Sequence, residues 1–222
     1  MFDTIAYRYD FLNHFLSLGI DIYWRNRVLK LVNKISPAQI LDVATGTGDL
    51  AISLSKCNPQ HITGVDISEG MLHIGRQKIS KMGLNSLISL QSGDSEALPF
   101  TDCTFDLVTA AFGVRNFENL EKGLNEMIRV LKPGGTIIIL EFSTVTNPLW
   151  KIIFTVYFKG ILPLLGRMIS RHDFAYKYLP ESVGIFPYGE EFLKILNSVG
   201  CGDPRQIRLS GGIATIYTGV RK

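Results

Sequence analysis

Residues 40–50, reading ILDVATGTGDL, constrain the fold of this chain more than any other stretch. An aliphatic run carries Asp42 near its end, Gly46 and Gly48 follow with one residue between them, and helix-forming residues come next. This is the strand, turn and helix of a nucleotide-binding α/β unit, in which glycines let the backbone pass close to a ligand. Further strands are expected near residues 61–66, 87–92, 105–111 and 135–142, after a first at 39–44. Helices fall between them. The clearest runs over 120–132, where Leu120, Leu124, Ile128 and Leu131 share one face before Pro133, Gly134 and Gly135 end it. Ser68 is placed to cap another helix, and Gly200 to stop one that starts after Pro187. Alternating strands and helices imply a mostly parallel sheet with helices on both faces. The final RQIRLSGGIATIYTGVRK adds a hairpin around Gly211 and Gly212, which brings the sheet to seven strands and makes one of them antiparallel.

With 222 residues, 46% of them hydrophobic, the chain can bury one sizeable α/β core, and no linker separates a second domain. Two appendages are expected. Residues 1–36 form an aromatic, helical block that can serve as a lid, and residues 145–185 form an apolar and basic insert. The first residues carry Asp3 and Asp10 and lack an apolar signal core, so a cytoplasmic protein is expected. Cys57, Cys103 and Cys201 show no C-x-x-C spacing, so neither a metal site nor a disulfide framework is expected. A net charge of +3 is too small to imply a nucleic-acid partner.

The turn alone does not choose its ligand. Gly46-Thr47-Gly48 with Ala51, and Asp66 one strand later to hold a ribose, suit NAD and S-adenosylmethionine equally. Three features favour the second. Asp42 would repel a pyrophosphate but suits an ammonium and a sulfonium; Asp94-Ser95 after the third strand can accept from an adenine amino group; and the closing hairpin adds an antiparallel strand.

Beyond these local patterns, the chain resembles the ubiquinone/menaquinone biosynthesis C-methyltransferases. The matching blocks run from FDTIAYRYDFLN through LDVATGTGDL, GVDISEGML, AFGVRNF, EMIRVLKPGG and YKYLPESV to GIATIYTG. LDVATGTGDL and VLKPGG are common to most class I methyltransferases; FGVRN, YKYLPESV and the N-terminal block are much narrower. The resemblance implies a Rossmann-like class I methyltransferase that methylates a ring carbon of a polyprenylated quinol, with a lean to demethylmenaquinol over a ubiquinone-pathway benzoquinol. It also implies cofactor positions at Thr47, Asp66, Asp94 and Ser95, beside the Gly46 already read from the turn. Where some relatives carry Ser before the Phe of the FGVRN block, this chain has Ala111.

Ring methylation needs an ionised neighbouring hydroxyl, hence an oxyanion stabiliser and a route for the ring proton. Arg115, after the fourth strand, is the first candidate for that stabiliser, with Asn116 orienting a substrate oxygen; the competing role for Arg115 is a salt bridge that fixes its loop. His172, beside Asp173 and Tyr176, is a weaker candidate base. Residues 149–169, LWKIIFTVYFKGILPLLGRMI, are interrupted too often for a membrane span. With Lys151, Lys159, Arg167 and Arg171 and no acid between 151 and 172, the segment suits either peripheral contact with an anionic membrane or burial in a homodimer. A nicotinamide-dependent oxidoreductase is the nearest rival and lacks its Tyr-x-x-x-Lys pair here; nucleic-acid methylation and a non-catalytic scaffold are the others.

Overall fold

The computed structural model describes residues 19–144 and 183–222. The first half of the N-terminal block and residues 145–182, with Lys151, Lys159, Arg167, Arg171, His172 and Tyr176, lie outside them. The elements run α1 (Ile20–Ile35), β1 (Gln39–Val43), α2 (Asp49–Leu54), β2 (His61–Asp66), α3 (Glu69–Lys81), β3 (Ile88–Ser92), β4 (Phe105–Ala111), α4 (Leu120–Val130), β5 (Leu131–Phe142), α5 (Glu190–Ser198), β6 (Cys201–Leu209) and β7 (Ala214–Arg221). The seven strands form one sheet in the order β3-β2-β1-β4-β5-β7-β6. Strands β1 to β5 are mutually parallel, and β7 runs antiparallel to both β5 and β6 through the Ser210–Gly212 turn.

Period-two alternation divides the core between the two faces of the sheet. On β5, Ile137 and Ile139 pack with α4 and α5, around Leu124, Met127, Phe192 and Leu196. Ile138 and Leu140 face the other way, into the layer of Trp24 and Val28 from α1, Leu50 and Leu54 from α2, and Leu72 and Ile79 from α3. Helix α3 starts where expected: Ser68 is extended and its hydroxyl accepts from the Met71 amide at 3.3 Å. Asn119 caps α4 in the same way, through the Lys122 amide at 3.0 Å.

One boundary differs from the sequence expectation. Helix α4 ends at Val130, and Leu131 already pairs with Phe105 as the first residue of β5. The pairing then jumps from Phe105–Leu131 to Leu107–Thr136, so Lys132 to Gly135 bulge out of the strand, and Lys132 anchors the bulge by donating to Asp106 at 2.6 Å. Proline and glycine, read as a stop between two elements, here make a bulge inside one.

The chain leaves β1 toward β2 and β3 on one side, then returns to place β4 on the other. Connections diverging from adjacent parallel strands leave a crevice at their carboxyl ends. Helix α3 packs tightly against the floor of that crevice, because a Cβ on Gly75 would lie 2.5 Å from Leu90 Cδ1 and 3.1 Å from the Thr47 carbonyl. In Gly75→Ala, overpacking of roughly 1–3 kcal/mol outweighs the roughly 1 kcal/mol that alanine contributes to helix propensity. The expected outcome is a net loss of stability in denaturant unfolding, and a variant more stable than the parent would contradict this packing.

Candidate active site at the strand switch

The crevice between β1 and β4 opens into a cavity of about 300 Å³, at the lower end of the range for small-molecule sites. Its floor is the turn after β1. Gly46 and Gly48 both take left-handed φ, +57° and +79°, and a Cβ at Gly46 would meet nothing within 4 Å. The backbone is thus bare where a ligand can approach. The Thr45 amide donates to the Val65 carbonyl at 2.9 Å and the Gly48 amide to the Thr45 carbonyl at 2.9 Å, which holds the turn against β2.

Three carboxylates stand along this opening at the ends of three consecutive strands. Asp42, on β1, is 1% exposed and accepts from the Thr45 hydroxyl at 2.6 Å and from the Thr109 hydroxyl of β4 at 2.8 Å. Burial raises its carboxyl from 3.8 to about 6, against the lowering effect of the two hydroxyls and of Arg25. Asp66, at the end of β2, accepts from the Gly46 amide at 2.7 Å and the Ser68 amide at 2.9 Å, so its orientation toward the cavity is set by backbone on both sides. Asp94, two residues beyond β3, accepts from the Glu96 amide at 2.8 Å and lines the far wall with Ser95.

Of the residues singled out in the sequence, Gly46, Thr47, Asp66, Asp94, Ser95 and Asn116 all line this cavity. Arg115 does not. Its guanidinium, with the side chain 7% exposed, donates from Nη1 to Glu141 of β5 at 2.7 Å and to the Phe112 carbonyl, and its Cζ lies 5.2 Å from the Phe142 ring centre. The loop-fixing salt bridge is therefore the contact that the geometry displays, and it holds the short Val114–Asn116 turn that presents Asn116.

Several lining residues had no sequence signal. Ala44 and Phe112, at the ends of the adjacent strands β1 and β4, both adopt left-handed φ, +53° and +58°, a conformation that stores strain in a residue with a Cβ. Phe112 stacks on Phe142 at 4.5 Å between ring centres, and Trp24 of α1 covers both at 5.8 and 5.9 Å. Trp24 also donates to the Ser210 hydroxyl at 2.9 Å, so α1 is pinned over the switch. The helix then contributes Arg25 to the cavity wall, as α2 contributes Asp49.

The donor set fits one kind of ligand. A row of Asp42, Asp66 and Asp94 repels a pyrophosphate but accommodates, in order, a cationic group, a vicinal diol and an amino-purine. This sheet order and this acidic row define a class I S-adenosylmethionine-dependent methyltransferase. The family is equally plain: the ubiE/COQ5 methyltransferase family model matches residues 1–221, and the chain belongs to that family. Its curated relatives include the demethylmenaquinone methyltransferase of Bacteroides fragilis, 47% identical over 222 residues, which cover 100% of this chain and 91% of that one. The ubiquinone/menaquinone biosynthesis C-methyltransferase UbiE of Geobacter sulfurreducens is 48% identical over 221 residues, 99% of this chain and 86% of that one. Among solved structures, a SAM-dependent methyltransferase from Aquifex aeolicus superposes with a TM-score of 0.61 at 21% identity, over 83% of this chain and 82% of that one, a likeness of fold.

Holding Asp42 ionised in this dry seam costs about 3 kcal/mol relative to the unfolded chain. Because its folded value lies above its ordinary one, the cost is fully present above about pH 6 and fades as pH falls toward 4. Asp42→Asn should therefore raise unfolding stability at pH 7.5 by about 1–3 kcal/mol, with the gain shrinking by pH 4.5. Equal or lower stability of the variant at pH 7.5 would refute this reading of Asp42.

Proposed function

We propose that the chain transfers a methyl group from S-adenosylmethionine to a ring carbon of demethylmenaquinol. The row of Asp42, Asp66 and Asp94 carries the donor assignment, and the two relatives named above, one of them a demethylmenaquinone methyltransferase, support the acceptor. Bound S-adenosylmethionine supplies an electrophilic methyl on a sulfonium. The chain's own residues bind, orient and exclude water. Asp42 offers a buried negative charge to the cationic end, Asp66 accepts from the ribose hydroxyls, and Asp94 with Ser95 meets the adenine. Gly46 and Thr47 let the ligand lie against bare backbone.

On the acceptor side, Asn116 reaches the cavity and is assigned to orient the quinol oxygen beside the reacting carbon. Arg115 works from behind it. Paired with Glu141 and with the Phe112 carbonyl, it holds in place the turn that presents Asn116. In this proposal residues 1–222 are one methyltransferase domain, residues 1–36 serve as a lid of which α1 is the described part, and residues 145–185 are a substrate- or membrane-facing insert. No described helix is long and apolar enough to cross a membrane. The four basic residues between positions 151 and 172, Lys151, Lys159, Arg167 and Arg171, support peripheral contact with anionic lipid, on which a prenylated substrate would be carried. Flotation with anionic vesicles should recover the protein, and neutralising those four residues should release it; no flotation would remove the membrane contact.

A reconstituted assay with the reduced quinone tests the reaction: methylated menaquinol should form only with S-adenosylmethionine present. Lack of turnover on this quinol, with turnover on a benzoquinol, would move the acceptor to the ubiquinone pathway. Asn116→Ala should lower kcat about tenfold to a thousandfold with little change in donor affinity. Arg115→Ala should do the same and in addition lose about 3–5 kcal/mol of stability, because it strands Glu141, which is fully buried. Unchanged kcat in both variants would remove this turn from the chemistry.

A further inference from the structure

The cavity wall carries six carboxylates, from Asp42, Asp49, Asp66, Asp94, Glu96 and Glu118, and among the described residues a single cation, Arg25. That imbalance suits a sulfonium, an ammonium and a purine amine. It is hostile to the carboxylate that a methionyl group also brings. If the donor is S-adenosylmethionine, as proposed above, its carboxylate has one favourable neighbour in this wall.

Arg25 is built for that contact rather than for the surface. It is 9% exposed, and its guanidinium is only partly used: Nη1 donates to Asp21, one turn earlier on α1, at 2.5 Å, and Nη2 lies 3.4 Å from Asp49. Its Nε is buried with no acceptor among the described residues. That Nε is closed to solvent, so the donors left for a ligand in the cavity are on the terminal nitrogens, above all Nη2 with its long 3.4 Å contact to Asp49, and the two terminal nitrogens together match a carboxylate. Asp49 does not absorb the charge alone, because Lys78 of α3 also pairs with it and donates to the Thr47 hydroxyl at 3.2 Å. Arg25 is also near enough to Asp42 to stabilise its ionised form.

We propose that Arg25 is the carboxylate anchor of the methyl-donor site, so that the zwitterionic methionyl end is held between Arg25 on α1 and Asp42 on β1. The N-terminal helix is then a wall of the donor site, and the site selects adenosyl ligands that retain an intact amino-acid end. Docking of α1 by Trp24, on the same turn, places the guanidinium there.

The test compares S-adenosylmethionine with its decarboxylated form, which lacks only the carboxylate, by calorimetric titration of the full chain. The parent protein should prefer the intact ligand about tenfold to a hundredfold. Arg25→Gln should abolish that preference by weakening the intact ligand, with the decarboxylated one held within about twofold. Arg25→Lys, which keeps the charge and the docking, should show an intermediate preference, and it serves as the probe if Arg25→Gln does not fold. Equal weakening of both ligands would reduce Arg25 to a helix-docking residue and overturn the proposal, as would no weakening of either. A parent protein that binds neither ligand would instead overturn the donor assignment itself.

Discussion

A carboxylate held dry between two strands is the constraint around which the rest is arranged. Asp42 sits opposite Thr109 in the β1–β4 register, and its two oxygens are taken by Thr109 across the seam and by Thr45 in the turn. Those bonds tie the glycine turn to the switch between the two halves of the sheet. They also keep a charge where burial opposes it, an unfavourable arrangement for stability that a cationic ligand would relieve. The strain at Ala44 and Phe112, which flank the same seam, belongs to the same pattern, in which local stability is given up at a binding site.

Around that seam, elements distant in sequence supply the walls. Helix α1 brings Trp24 and Arg25, α2 brings Asp49, α3 approaches the turn through Gly75, and β5 brings Glu141 under Arg115. Each side chain is positioned by packing of its element on one face of the sheet. The antiparallel β7 completes this frame by covering the free edge of β5, and buries Tyr217, whose hydroxyl accepts from the Gly189 amide at 2.9 Å at the start of α5.

What could be read directly from the chain was whatever depends on local order. The strand ends at Asp66 and near Asp94, the caps at Ser68 and the terminal hairpin rest on spacing within a few residues, and all are found where expected. Arg25 enters the cavity only through tertiary docking of α1, so no spacing rule marks it. Arg115 illustrates the converse. Its type and its place after β4 pointed to an anion, but its guanidinium is met by Glu141, 26 residues later on a neighbouring strand, a pairing that only the sheet order reveals. The bulge at Lys132 to Gly135 was similarly hidden, because proline and glycine mark an interruption without saying whether it falls between elements or within one.

The central claim is that this cradle delivers a methyl group to a quinol ring. Mass spectrometry of the quinones in a bacterial strain that lacks its own quinone C-methyltransferase, and is given this chain, tests it most directly. Conversion of accumulated demethylmenaquinone to menaquinone, heavier by one methylene unit, is the expected result. Persistence of demethylmenaquinone despite folded, S-adenosylmethionine-binding protein in those cells would contradict it.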